Sequence, residues 1–310
     1  MTGRRLDTAS SPDGASLVRC AWCATPFDDR AQRLRGRRRC AECGVATTDP
    51  WPDDETLANA YAAWYRPPSG RFAGRGDQIL RRTRGLLARR LEQVIPAGTV
   101  LDVGAGDGAL LDALHARGRN AIGLERATTR RDVRAGDLDS QDERFAAIVF
   151  WHSLEHLRDP GRALERATEL LLPEGLIVVA MPNAASLQAR VFGDAWLALD
   201  LPRHLVHVPA EALVGRLRAL GLRIERVSYA RGGQAVFGWL HGLVGLLPGT
   251  ADLYDAIRTR AAQQNPPPTT ARAAALAAAV PMLPAAVLLG AVEAALRRGG
   301  SVYVEARRPA

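Results

Sequence analysis

The stretch Leu101 to Leu110 reads LDVGAGDGAL and sets three glycines at alternate positions, 104, 106 and 108, between the extended-favouring run TVLDV and the helix-favouring run ALLDALHARG. A strand that enters a helix through such a loop brings backbone N–H groups close to a ligand, where side chains would obstruct it. Gly104, Gly106 and Ala109 also satisfy the GxGxxA dinucleotide pattern, so the glycines alone leave the ligand open.

Outward from the loop, strand and helix patterns alternate, which predicts a parallel sheet covered on both faces. Strands are expected at 99–103, 120–125, 131–135, 145–151, 175–181, 222–229 and 301–307, with helices near 108–117, 160–172 and 209–220. Two more helices are expected ahead of the sheet, at 53–65 and 77–94. About 70 residues separate the last two strands, far more than a connection needs, and 232–299 reads as an insertion.

Three acidic residues favour S-adenosylmethionine over a dinucleotide. Asp102, two residues before the first glycine, suits the ammonium group of a methionine moiety and repels a pyrophosphate. Glu125, ending NAIGLE, suits a pair of ribose hydroxyls, a feature dinucleotide folds share, and Asp137 in AGDL is placed to accept from an adenine amino group. In order and spacing, LDVGAGDG, GLE, GDL and FAAIVFWHSLEHLRDP resemble the successive motifs of the class I S-adenosylmethionine-dependent methyltransferases, over about 55–231 and again at 301–308. The resemblance implies a seven-stranded Rossmann-like α/β sheet of order 3-2-1-4-5-7-6 with an antiparallel last strand. It also implies a cofactor site of Asp102, Gly104, Ala105, Gly106, Gly108, Glu125, Asp137, Leu138 and Trp151.

Four of the six histidines lie between residues 152 and 207. WHSLEHL carries His152, Glu155 and His156 just beyond the fourth strand, and DLPRHLVHVP adds His204 and His207 after the fifth, so both segments are expected at one crevice. Three roles fit. His156, His204 or His152 acts as general base toward an acceptor hydroxyl or amine. Alternatively His152, Glu155, His156 and His204 hold a divalent metal, or the EHL and PRHL motifs maintain the fold. The segment is similar to methyltransferases with an ExxEH pattern, including ubiquinone-pathway O-methyltransferases and small-RNA 2'-O-methyltransferases, with His152 in place of the first Glu. Trp196, Trp151 and the stretch Tyr61 to Tyr65 are candidate aromatic walls for an acceptor.

Upstream, Cys20, Cys23, Cys40 and Cys43 form C-x2-C-x16-C-x2-C, the spacing of a zinc ribbon. Four thiolates close the tetrahedron, so a structural zinc is expected in a module over 16–50, after a disordered 1–15. The methyltransferase domain is expected over 51–231 plus 300–310.

The net charge is +8, with 41 basic residues, every one an arginine. Arginine suits oxyanion partners, yet net charge speaks first to solubility, so nucleic acid stays a secondary partner of the ribbon and its RLRGRRRC hairpin. No signal-peptide-like apolar core opens the sequence, which predicts a cytoplasmic protein. Ala273 to Leu296 holds a single charge, Glu293, and is long enough to cross a bilayer. Pro281 and Pro284 are expected to interrupt it. The return of a last strand to the same sheet favours a helical hairpin that lies on the inner face of a membrane, lids a lipid-linked acceptor, or forms a helical cap or dimer surface.

Overall fold

A computed structural model describes residues 16–62, 67, 70–72, 76–126, 128–230 and 232–310. The expected disorder of 1–15, and Tyr65 among the candidate aromatics, lie outside these residues. At the N-terminal end, β1 (Gln32–Leu34), β2 (Arg37–Arg39) and β3 (Ala46–Thr48) form an antiparallel meander. The pre-sheet helices are α1 (Asp54–Ala60), capped by the Asp53 carboxylate on Thr56 N–H, and α2 (Gly76–Val94).

The main sheet follows with β4 (Val100–Val103), α3 (Ala109–His115), β5 (Ala121–Glu125), β6 (Val133–Ala135), β7 (Phe145–Trp151), α4 (Pro160–Leu170) and β8 (Leu171–Pro182). Then come α5 (Leu187–Phe192), β9 (Val206–His207), α6 (Ala210–Ala219), β10 (Arg223–Ser228), α7 (Gly232–Gly245), α8 (Leu253–Ile257), α9 (Thr269–Ala295) and β11 (Ser301–Arg307). The seven strands order as β6-β5-β4-β7-β8-β11-β10, with β11 antiparallel to both neighbours. This is the expected 3-2-1-4-5-7-6 arrangement. β7 shows why: FAAIVFW is buried from Phe145 to Phe150, an unbroken apolar run that only a strand covered on both faces tolerates. One departure is that α4 ends at Leu170, because Leu171 already pairs with Phe145 at the start of β8.

The four-cysteine module is not an appendage. β3 pairs with β9, so the meander becomes a four-stranded sheet whose fourth strand belongs to the segment after β8. Cys20, Trp22, Cys40 and Val45 join the same buried cluster as Val206, Leu213 and Leu217.

In the insertion α7 packs on α9, and α9 runs through both prolines without a break. Pro281 and Pro284 lie on its exposed side, where the carbonyls of residues 277 and 280 that lose a partner face outward. The lone charge has a structural role. Glu293 is fully buried and accepts from Gln188 Nε2 (2.8 Å), Trp239 Nε1 (2.8 Å) and Gly300 N–H (3.0 Å), joining α9 to α5, α7 and the entry to β11. Burial pushes its carboxyl up, against the pull of these three donors.

Candidate functional site

The glycine loop follows β4 at the carboxyl edge of the parallel strands, where open α/β sheets bind ligands. Gly104, Gly106 and Gly108 have φ of +78°, +59° and +75°, the left-handed region that lets the chain turn from β4 into α3. At Gly104 a Cβ would also lie 2.6 Å from the Ser153 Cβ, so the segment after β7 is packed directly on the loop. Gly104→Val is therefore expected to cost about 1–3 kcal/mol in backbone strain before the clash is counted. Calorimetric titration with S-adenosylmethionine checks this, and wild-type affinity would exclude the loop as a cofactor cradle.

A cleft of about 1770 Å³ opens beside this loop. Asp102, Gly104, Ala105, Gly106 and Trp151 line it, together with His152, Glu155, His156 and His204. The expected cofactor residues and the histidine rim thus share one space. Gly108, Glu125, Asp137 and Leu138 do not line it. Glu125 accepts the Gly106 N–H (2.9 Å) and braces the loop, while Asp137 accepts from Ser140 N–H (3.2 Å) and caps the short helix that follows β6. Trp151 is covered by the Arg84 guanidinium of α2, 4.4 Å from its ring centre.

At the rim, Glu155 is buried to 1% exposure, and neither carboxylate oxygen has a hydrogen-bond partner. His152 Nδ1 lies 3.4 Å away and His204 Nε2 3.9 Å. Burial alone would raise this carboxyl, but His152, His156 and His204 together hold it at about 2. His156 Nδ1 lies 2.9 Å from the Arg203 carbonyl and 2.8 Å from the Tyr61 hydroxyl, and His204 Nδ1 lies 2.9 Å from the Ala198 carbonyl. A carbonyl only accepts, so each Nδ1 carries a proton, and each Nε2 is the nitrogen left to face the cluster. Burial, then the neighbouring His204, lowers His156 to about 4, which keeps it neutral at neutral pH. Glu155, His156 and His204 offer ligand atoms within 4.8 Å of one another. His152 stands apart from this set. It adopts φ +52° and lies between Glu155 and Gln234 of α7, with Gln234 Nε2 at 3.0 Å.

Some expectations are corrected. His207 does not line the cleft: it is buried in β9, opposite Ala46, with Nε2 3.4 Å from Thr48 Oγ1. Tyr61 serves as a hydrogen-bond partner of His156, whereas Trp196 does line the cleft, with 5% of it exposed and the rest packed on Phe192 and Trp239. Two contributors had no sequence motif. Gln234 comes from the insertion, and Thr48 of the cysteine module donates its hydroxyl to the His204 carbonyl at 2.7 Å. Thr48→Val should leave His204 less well held and lower turnover by roughly tenfold, with Thr48→Ser restoring it. Equal kcat for all three proteins would show that the module does not position the rim.

The four cysteine sulfurs lie within 4.8 Å of one another, with Cys20–Cys43 and Cys23–Cys40 both at 3.7 Å. A tetrahedron with metal–sulfur bonds of about 2.3 Å has edges of about 3.8 Å, so these cysteines fit a tetrathiolate zinc site. The Cys43 thiol lowers Cys20 to about 5, easing formation of a thiolate there.

The strand order, the glycine turn and the acidic residue before it define a Rossmann-like enzyme fold of the methyl-transferring kind. A family model described as a methyltransferase domain matches residues 76–227, and the chain is an S-adenosylmethionine-dependent methyltransferase of this family. It is 26% identical over 186 residues to a ubiquinone biosynthesis O-methyltransferase of Cereibacter sphaeroides, covering 51% of this chain and 75% of the relative. A protein of the same name from Azorhizobium caulinodans is 27% identical over 187 residues, covering 51% and 73%. Among solved structures, a putative sarcosine dimethylglycine methyltransferase from Galdieria sulphuraria aligns over 74% of this chain and 86% of its own, at 15% identity and a TM-score of 0.48.

Proposed function

We propose that this enzyme methylates a hydroxyl oxygen of a small organic or lipid-linked acceptor bound in the cleft, and that Glu155, His156 and His204 hold a divalent cation beside it. The observation that carries this reading is the arrangement of the rim. Both imidazoles have Nδ1 committed to a backbone carbonyl, and the buried carboxylate they surround has no hydrogen-bond donor. Such carbonyl-anchored imidazoles are the usual setting of metal-ligating histidines.

A cation held there lowers the pKa of a neighbouring hydroxyl. Asp102 and the Gly104 to Gly106 backbone hold S-adenosylmethionine, which supplies an electrophilic methyl group. The chain's own part is mainly positional: the loop and rim face one cleft, so donor carbon and acceptor oxygen are brought into line. His152, tethered by Gln234, forms the wall on the insertion side. The two relatives named as O-methyltransferases support oxygen as the acceptor atom. The cysteine module carries a structural zinc.

Incubation with labelled S-adenosylmethionine and a fractionated cell extract, with and without a chelator, tests the reading. Label is expected in the small-molecule or lipid pool and is expected to fall on chelation. Label confined to RNA would replace the acceptor and restore the nucleic-acid role of the ribbon and its arginines. Chelator-independent transfer would leave His156 and His204 as proton acceptors without a metal.

A further inference from the structure

Among the described residues, α9 alone is long and apolar enough to cross a membrane by length and composition, yet its inner side packs on α7 and the Glu293 hub. Its outer side is left uncovered. Leu276, Val280, Leu283, Val287, Leu288 and Leu296 are all exposed, with Val280 at 73% and Leu288 at 65%. From Ala273 to Leu296 the only charged side chain is the inward-facing Glu293, so the outer face is aliphatic throughout. At 1.5 Å per residue this strip is about 36 Å long. An apolar surface of that extent in water calls for an occupant.

Composition distinguishes the candidates. Protein interfaces favour aromatic residues, Met and Arg at their cores, are depleted in Ala, and have polar rims. The outer face of α9 has the opposite character, with Ala273, Ala274, Ala277, Ala285, Ala291 and Ala295 interspersed among the exposed Leu and Val and no aromatic side chain. The charges that end it are both positive: Arg297 and Arg298 are exposed directly after the helix, and the chain as a whole carries +8. A greasy strip that ends in exposed arginines complements an anionic bilayer surface, with aliphatic side chains in the acyl boundary and guanidinium groups among the phosphates.

We propose that the outer face of α9, with Arg297 and Arg298, is a docking surface for anionic phospholipid membranes on which the helix lies in the plane of the bilayer. The helix does not span, because its inner side is committed to the protein. α7 carries the consequence to the cleft: Ala235 and Trp239 connect it with Gly290 and Glu293 of α9, while Gln234, Phe237 and His241 line the cleft wall. Docking therefore places the cleft one helix away from the lipid surface. The proposal stands independently of the acceptor assignment.

Co-sedimentation of the full chain with vesicles tests it. Vesicles of phosphatidylcholine and phosphatidylglycerol in equal parts are expected to carry the protein down, and phosphatidylcholine alone is expected to bind roughly tenfold more weakly. Leu283→Asp combined with Val287→Asp should abolish binding, with S-adenosylmethionine affinity by calorimetry confirming that this variant is folded. Arg297→Gln with Arg298→Gln, which alters only exposed side chains, should weaken binding to the anionic vesicles by about tenfold and leave the neutral vesicles unaffected. No sedimentation with either vesicle, or binding unchanged in the Asp variant, overturns the proposal. A concentration-dependent dimer in analytical ultracentrifugation that the Asp variant abolishes also overturns it, by assigning the face to a second copy of the chain.

Discussion

Glu155→Gln is expected to lower methyl transfer by about a hundredfold or more while leaving S-adenosylmethionine affinity near wild type. The carboxylate is buried, has no hydrogen-bond donor and faces three imidazoles, so its negative charge is the feature those groups surround. Glutamine keeps the volume and removes the charge. In zinc-loaded protein, whose cysteine site is already filled, Mn2+ affinity followed by electron paramagnetic resonance should fall in parallel. His204→Ala is expected to match the Gln variant in both measurements, because it removes a second Nε2 from the same cluster. Full turnover and unchanged Mn2+ binding in both variants would leave EHL and PRHL as fold-maintaining motifs only.

The second large effect is on stability. Glu293→Ala should destabilise the chain by about 3–5 kcal/mol, because three buried donors, Gln188 Nε2, Trp239 Nε1 and Gly300 N–H, lose their acceptor together. Glutamine retains one acceptor oxygen but presents an N–H2 group to at least one of these donors, so Glu293→Gln is expected to fall between wild type and Ala. Urea unfolding followed by Trp fluorescence checks the order. The change should be seen most in the insertion and at the start of β11, where Glu293 joins α9 to the sheet. A wild-type midpoint for the Ala variant would mean that apolar packing of α7 on α9 suffices without the hub.

The glycine turn, the sheet and the four-cysteine cluster were legible in the chain because each is written in local terms. Three glycines between a strand run and a helix run need no distant contact to be read, nor does the paired CxxC spacing. Apolar runs such as FAAIVFW mark buried central strands wherever they occur. Roles that depend on distant partners were misread or missed. Glu125 and Asp137 were read as cofactor contacts, and the fold gives each a further task that no motif announced, Glu125 bracing Gly106 and Asp137 capping a short helix. His207 was grouped with the rim by proximity in sequence, but strand alternation turns it toward Thr48. The prolines of α9 signalled a break that the helix avoids by presenting them to the outside.

By itself, then, the amino-acid sequence determined the class I order of strands, the cradle after β4 and the tetrathiolate spacing, because periodicity, glycine conformation and ligand chemistry act over a few residues. Only the tertiary structure decided that the cysteine module packs behind the histidine rim, with Thr48 on the His204 carbonyl, and that Glu155, His156 and His204 converge. It alone revealed the Glu293 hub and the bare outer face of α9. Each of these depends on groups that meet across 40 to 160 positions of chain, such as Thr48 on His204 or Gln188 on Glu293. Such meetings are set by how buried surfaces fit together, which no local pattern encodes.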